Sequence, residues 1–332
     1  MRVCALAPSR PIGNNAASAM PKQVHVVSHG PHCLDGVAAA VAVARYHQGR
    51  AEVVPHFAGN SEIDAVLRGL ALGPDAELWI TDISWREPET DAHLRALATA
   101  GVPIYWIDHH RTALERFASG KVNVPFAERV LSEEFAASRL VYDYLRRRLE
   151  AEGRAAPDFA RLAPLIAMAD DNDRWLHRVP GSRELAWVVR SLGEEAYAEL
   201  LAVDERVTYS PRMAAARARV EAEIAHSFAV ANASRTERPL GQATLVTAVC
   251  DGHPSEIADA WGKATRNTVF ALWDAKSLAV SLRRSPDCTI DLSRLAASLG
   301  GGGHAAAAGC ELPELRRGLA EALAARIAGA LA

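Results

Sequence analysis

Residues 24–46, VHVVSHGPHCLDGVAAAVAVARY, decide the fold. The valine-rich start through Gly30 has the composition of a buried strand, and Asp35 to Tyr46 has that of a helix. The polar loop between them places His29, Cys33 and Asp35 within seven residues. Each side chain is a potential cation ligand. Cys33 is the odd member, because a soft thiolate is not the usual company of a carboxylate.

The same strand–loop–helix unit recurs downstream. AEVVPHF (51–57), ELWITDIS (77–84) and PIYWIDHH (103–110) read as a second, third and fourth strand, with helices near Ser61–Leu70 and Pro88–Ala100. Near-continuous apolar strands separated by helices imply a parallel sheet covered on both faces. In such sheets ligands sit beyond the carboxyl ends of the strands. The polar clusters fall there: His29 after strand one, Asp82 after strand three, and Asp108-His109-His110 after strand four. Residues 134–190 read as mainly helical and carry a second acidic cluster, MADDNDRW (168–175).

Ser210-Pro211 has the form of an N-cap followed by Pro at the first helical position, opening a long helix to about Asn232. ASRTERPLG (233–241) breaks it. Beyond, QATLVTAV, NTVFALWDA and LAVSLRRS read as strands, DLSRLAASLG (291–300) as a helix, and residues 313–332 as a terminal amphipathic helix. The expected organisation is a tail at 1–22, a parallel-sheet domain at 23–195, a helical linker at 196–236 and a smaller mixed α/β domain at 237–332.

Bulk properties bound the function. The 332 residues are 49% hydrophobic and 23% charged, enough for more than one core, and the net charge of −3 advertises no affinity for long duplex nucleic acid. The five dispersed cysteines are no disulfide framework and point to a reducing cytoplasm. No apolar run approaches the roughly 18 residues needed to span a bilayer. Residues 1–22 lack a signal-peptide core. They read as a disordered tail, so Met20 is a candidate start with residues 1–19 outside the translated chain.

Taken alone, each polar residue has a bland reading. Asp82 fits a helix cap, His29 a hydrogen-bonded loop histidine, and Cys33 a small buried hydrophobe. Asp108-His109-His110 fits a capped turn. Together they offer more ligands than one cation needs, and DDND (170–173) adds a further carboxylate. Two cations bridged by a carboxylate would use them all. In the carboxyl half, GGGGHAAAAG (300–309) combines backbone N–H groups able to approach an anion with a donor in His304, and Arg283 can complement a phosphate. A flexible loop and a solvated arginine are the plain alternatives. The remaining histidines, among them His25, His32, His47 and His56, receive no role.

IDHH after a strand, the Asp-Gly loop after the first strand, TDIS between them and GGGGHAAAAG near the end together resemble the DHH phosphoesterases that carry a DHHA1 domain. The resemblance covers about residues 23–315. It implies two divalent cations, Mn²⁺ by the family habit, held by His29, Cys33, Asp35, Asp82, His109 and Asp171, with Asp170 and Asp173 as rivals of Asp171. It further implies His110 beside the substrate phosphate, Asp108 as its orienting partner, and Arg283, Gly301, Gly302, Gly303 and His304 as substrate contacts. Most members have Asp where this chain has Cys33, and a thiolate shifts preference toward Zn²⁺ or Fe²⁺. The expectation is an α/β metal-dependent phosphohydrolase with its active site in the cleft. Its substrates would be short nucleotides such as pAp, dinucleotides or nano-RNA. It would have no membrane or duplex partner, and a homodimer is compatible with the chain. A nucleotide sensor with reduced turnover and a pyrophosphate or polyphosphate hydrolase are the alternatives.

Overall fold

The computed structural model describes residues 23–331; the expected tail at 1–22, with Met20, lies outside them. The chain divides into two compact units, one through Arg217 and one from Ala218. In chain order the first contains β1 (Gln23–His29), α1 (Leu34–His47), β2 (Glu52–Ala58), α2 (Ile63–Gly69), β3 (Ala76–Thr81), α3 (Pro88–Thr99), β4 (Ile104–Asp108), α4 (Arg111–Ala118) and β5 (Glu128–Leu131). Helices α5 (Ala137–Ala151), α6 (Pro157–Ala160), α7 (Ala163–Asp173), α8 (Ser182–Leu192) and α9 (Ala196–Leu201) follow.

The five strands form one parallel sheet in the order β2-β1-β3-β4-β5. Alternation along each strand feeds two cores. Val24, Val26, Trp79, Tyr105 and Ile107 enter one, with α1, α5, α7 and α8. Val27, Leu78, Ile80, Ile104 and Trp106 enter the other, with α2 and α3. Of the 14 residues of α1, 13 are buried, which is why its sequence is apolar on all sides rather than along one stripe. Its run of alanines lets α5, α7 and α9 pack closely against it.

Four strands fall where the sequence reading placed them; β5 was not anticipated. Its Glu128-Arg129-Val130-Leu131 is short and half charged because it is an edge strand, paired only with β4.

Helix α10 (Pro211–Ser234) begins as expected, with the Ser210 hydroxyl accepting from the Met213 N–H at 3.1 Å. The second unit continues with β6 (Thr236–Leu240), β7 (Ala243–Cys250), α11 (Pro254–Ala264), β8 (Thr268–Asp274), β9 (Ala279–Arg284), α12 (Leu292–Ser298), β10 (Gly302–His304), β11 (Ala307–Cys310) and α13 (Pro313–Leu331). Its six-stranded mixed sheet runs β10-β11-β9-β8-β7-β6, with β7 and β8 parallel and the other pairs antiparallel. The segment read as a break, 233–241, contains β6; Pro239 is tolerated there because β6 is an edge. No helix among the described residues is long and apolar enough to cross a membrane.

Candidate metal centre

The centre lies at the carboxyl ends of β1, β3 and β4. The strand ends are first tied together. The buried Ser28 hydroxyl donates to the Gly36 carbonyl at 2.7 Å and receives from the Thr81 hydroxyl at 2.8 Å. Gly36 is then forced to be glycine: a Cβ there would stand 1.9 Å from the His29 carbonyl oxygen and 3.1 Å from Asp82 Oδ2. The Asp-Gly pair of the first loop is therefore a packing requirement, not only a turn preference. Asp82, just past β3, has φ 61°, a left-handed conformation that a short polar side chain tolerates better than most. Its backbone N–H donates to the Ile107 carbonyl at 3.0 Å, so β4 holds it in place.

The Asp82 carboxylate is 1% exposed, and its two oxygens face different partners. Oδ2 lies 3.5 Å from His29 Nδ1 and 3.5 Å from Cys33 Sγ. Oδ1 lies 3.2 Å from His109 Nε2 and 3.8 Å from His110 Nδ1. His109 Nε2 is also 3.5 Å from Asp173 Oδ2 and 3.9 Å from Asp35 Oδ2. Donor atoms thus gather in three overlapping ligand-sized groups, His29–Cys33–Asp82, Asp82–His109–His110 and Asp35–His109–Asp173; the first and last share no residue, and Asp82 adjoins both.

Asp35 is anchored independently. Both its oxygens accept from α5, from Ala137 N–H at 2.8 Å and Ser138 N–H at 2.9 Å, so the helix amino-terminus fixes the carboxylate in place. Asp108 does the same for the histidine pair. Its Oδ1 accepts from the backbone N–H groups of His109 and His110, and from His110 Nδ1–H at 2.8 Å.

The electrostatics are those of a site built around positive charge. Burial alone would raise the Asp82 carboxyl, but the imidazoles of His109, His29 and His110 outweigh it and hold the group at about 2. Burial alone would lower His109, but Asp82, Asp173 and Asp35 hold its imidazole up at about 9. Burial and the neighbouring carboxylates push Asp35 well up, and burial with Asp82 raises Asp173. The hydrogen bond to Asp108 raises His110. Cys33 caps the amino-terminus of α1, a position that favours a thiolate. Burial, with the carboxylates of Asp82 and Asp35, prevails and pushes the thiol well above its ordinary value. Without a cation, the helix terminus alone does not hold Cys33 as a thiolate.

Asp82 Oδ1, Asp108 Oδ2 and His109 Nε2 are buried without an aligned hydrogen-bond partner. Such orphaned groups are costly unless an ion or water completes them. The donors are imidazole nitrogen, thiol sulfur and carboxylate oxygen, the ordinary ligands of a divalent transition metal. The residues fit that occupant.

The structure corrects one expected ligand. Asp171 is turned away: its oxygens accept from Arg178 N–H at 2.7 Å and the Ser182 hydroxyl at 2.6 Å, tying α7 to α8. Asp170 is also engaged, with Ala136 N–H at 2.8 Å and Arg174 at 3.3 Å. Asp173 is the carboxylate that reaches the cluster. Burial alone does not single it out, because Asp171 is buried against α8 while Asp173 stays partly exposed.

The first loop also walls a depression of about 1100 Å³, where Gly30, Pro31 and His32 meet Phe57, Val66 and Leu192. In the second unit, Arg283 lines a separate depression of about 380 Å³ with Gly302 and Gly303. Its guanidinium donates to the Ser255 hydroxyl at 2.9 Å and the Leu282 carbonyl at 2.9 Å, and no carboxylate pairs with it among the described residues. Gly301 and His304 do not line this depression. A Cβ at Gly301 would meet the Gly309 carbonyl oxygen at 2.1 Å, so this glycine serves the close approach of β11. His304 ends β10 in an exposed position.

A parallel five-stranded unit with polar strand ends, followed by a smaller mixed-sheet unit with a glycine-rich hairpin, is an arrangement shared with a solved structure. Among solved structures, the pGpG-specific phosphodiesterase PggH from Vibrio cholerae matches with a TM-score of 0.55 at 13% identity, over 92% of this chain and 99% of its own. CDC45 from Entamoeba histolytica matches at 0.45 and 9% identity, over 89% of this chain and 93% of its own. A Methanococcus jannaschii protein assigned as a family II inorganic pyrophosphatase matches at 0.31 and 11%, over 87% and 94%. No family model and no curated protein sequence matches the chain.

Proposed function

We propose that the protein is a two-cation phosphohydrolase acting on short nucleotide substrates. The observation that carries this reading is the placement of Asp82, whose two buried oxygens face separate groups of donors. His29, Cys33 and Asp82 would hold one cation; Asp82, Asp35, His109 and Asp173 would hold the other. Divalent cations supply Lewis-acid charge for a phosphoryl oxygen and lower the pKa of an attacking water.

The chain's own residues supply the rest. Asp108 fixes the His110 ring with Nδ1–H toward the carboxylate, which leaves Nε2 as the atom that hands over or takes a proton. With 46% of its side chain exposed, His110 is the member of the cluster most open to a substrate. The depression along Gly30–His32 is walled by the same loop that carries Cys33 and would take the rest of a small molecule. Arg283, half-buried and free of carboxylates among the described residues, is suited to a phosphate oxygen in the second unit. The net charge of −3 and only 6% aromatic residues favour short substrates over long single strands, which need a basic track and stacking platforms. The phosphodiesterase named for PggH is consistent with such a class. Among the described residues four cysteines are free, three of them buried, which suits a reducing compartment.

The test is hydrolysis of pAp, a 5′-phosphorylated dinucleotide, a long single strand and inorganic pyrophosphate, with Mn²⁺, Zn²⁺ or Fe²⁺ added to metal-free protein. Cleavage of the short nucleotides ahead of the long strand and pyrophosphate is expected. Degradation of the long strand at least as fast would end the size-limited reading. No phosphate release from any nucleotide by the metal-loaded protein would end the enzymatic one.

A further inference from the structure

Resting on the reading of a paired-cation centre, we infer that its two positions are chemically unequal. The sulfur-bearing position selects a soft cation, and the oxygen-rich position takes a harder one, so that the native centre holds two different metals. The asymmetry follows from where Cys33 stands. Its Sγ lies beside Asp82 Oδ2, the same oxygen that faces His29, and belongs only to the group His29–Cys33–Asp82. The second group, Asp35–His109–Asp173, has one nitrogen and two carboxylates and no sulfur. Asp82 Oδ1, orphaned and buried, turns toward this second group.

Thiolate with imidazole suits Zn²⁺, Fe²⁺ or Co²⁺, whereas a carboxylate-dominated set suits Mn²⁺ or Mg²⁺. One shared carboxylate keeps the two positions adjacent without making them alike. Neither set needs rearrangement to express this difference, because Cys33 is fixed as the cap of α1 and Asp35 is clamped by two N–H groups of α5.

The test reads metal content and spectrum, not catalysis. Metal-free protein is titrated with Co²⁺, and the near-ultraviolet thiolate-to-cobalt charge-transfer band is followed. It is then dialysed against Mn²⁺ in large excess over Zn²⁺, because a nitrogen–oxygen site also prefers Zn²⁺ at equal concentrations, and its metals are counted. The wild-type chain is expected to develop the band with its first equivalent of Co²⁺ and to retain one Zn²⁺ and one Mn²⁺. Cys33→Ser removes the band. Cys33→Asp, which supplies a carboxylate of similar reach, loses the band and at least tenfold of the Zn²⁺-over-Mn²⁺ preference at that position. Asp173→Asn keeps the band and loses the second equivalent.

The inference is overturned if the wild-type chain binds Co²⁺ without the band, if the band survives Cys33→Ser, or if the wild type and Cys33→Asp take up the two metals alike. Should Cys33→Ser fail to fold, the comparison of wild type with Cys33→Asp still decides. A protein that passes this test yet hydrolyses no phosphoester would refute the proposed function and leave the inequality standing.

Discussion

Replacing Asp82 by Asn tests the electrostatic core of the centre without a metal present. A carboxyl held at about 2 instead of its ordinary 3.8 corresponds to about 2.4 kcal/mol in favour of the charged form. Seen from His109, held at about 9 instead of 6.5, the figure is about 3.4 kcal/mol. These describe one interaction and are not added. The smaller is the better guide, because His109 also draws on Asp35 and Asp173.

The pH window follows from the two directions. The lowered Asp82 stabilises the fold above about pH 4, and that contribution is lost as the pH falls toward 2. The raised His109 contributes fully below about 6.5, and its contribution is lost as the pH rises through 9. In chelator-treated protein at about pH 5.5, Asp82→Asn should cost about 2 kcal/mol, or about 4–8 °C in the melting of a unit this size. Near pH 9.5 the penalty should largely vanish, because the imidazole is neutral in both proteins. Thermal melting followed by circular dichroism at both pH values is the assay. A variant that melts within about 1 °C of wild type at pH 5.5, or a penalty of equal size at both pH values, would refute the reasoning.

Asp171 and Asp173 should separate cleanly: Asp171→Asn should cost about 1–3 kcal/mol of stability by loosening its hydrogen bonds to Arg178 and Ser182, yet keep both cation equivalents, while Asp173→Asn should lose one in a Mn²⁺ calorimetric titration. Gly36→Ala should destabilise the first unit by about 3 kcal/mol or more in urea unfolding, since its methyl group meets a backbone carbonyl that cannot give way; a change below about 1 kcal/mol would contradict that contact. In metal-free protein, Cys33 should react with iodoacetamide at pH 8 at least about tenfold more slowly than free cysteine, because its thiol is pushed up; labelling at the free rate, read by peptide mapping, would contradict this direction. Asp108→Asn should lower kcat for a dinucleotide about 10- to 100-fold with KM little changed, as expected of a group that orients His110 rather than binding substrate.

The parallel sheet was legible because β1, β3 and β4 carry continuous apolar runs that end in polar residues. Strand β5 was not, because an edge strand is allowed charges that erase its pattern. β6 was hidden by Pro239 for the same reason. His29, Asp82 and His109 could be nominated from their positions at strand ends, but the division of the Asp82 oxygens is a property of three loops meeting and has no local signature. The choice among Asp170, Asp171 and Asp173 had no local signature, because it depends on the partners that Ala136, Arg178 and Ser182 offer the first two. The need for glycine at position 36 depends on the His29 carbonyl, seven residues earlier, and so lies in tertiary contact alone. The raised Cys33 thiol of the cation-free protein has no local signature, because the carboxylates of Asp82 and Asp35 reach it only through the fold.

Anomalous diffraction from a crystal soaked in Mn²⁺ and Zn²⁺, collected at both absorption edges, locates the cations directly. One peak should lie among His29, Cys33 and Asp82 and a second among Asp35, His109, Asp173 and the other oxygen of Asp82. Peaks elsewhere, or a fully soaked crystal with none at these residues, would contradict the assignment of this cluster as the protein's metal centre.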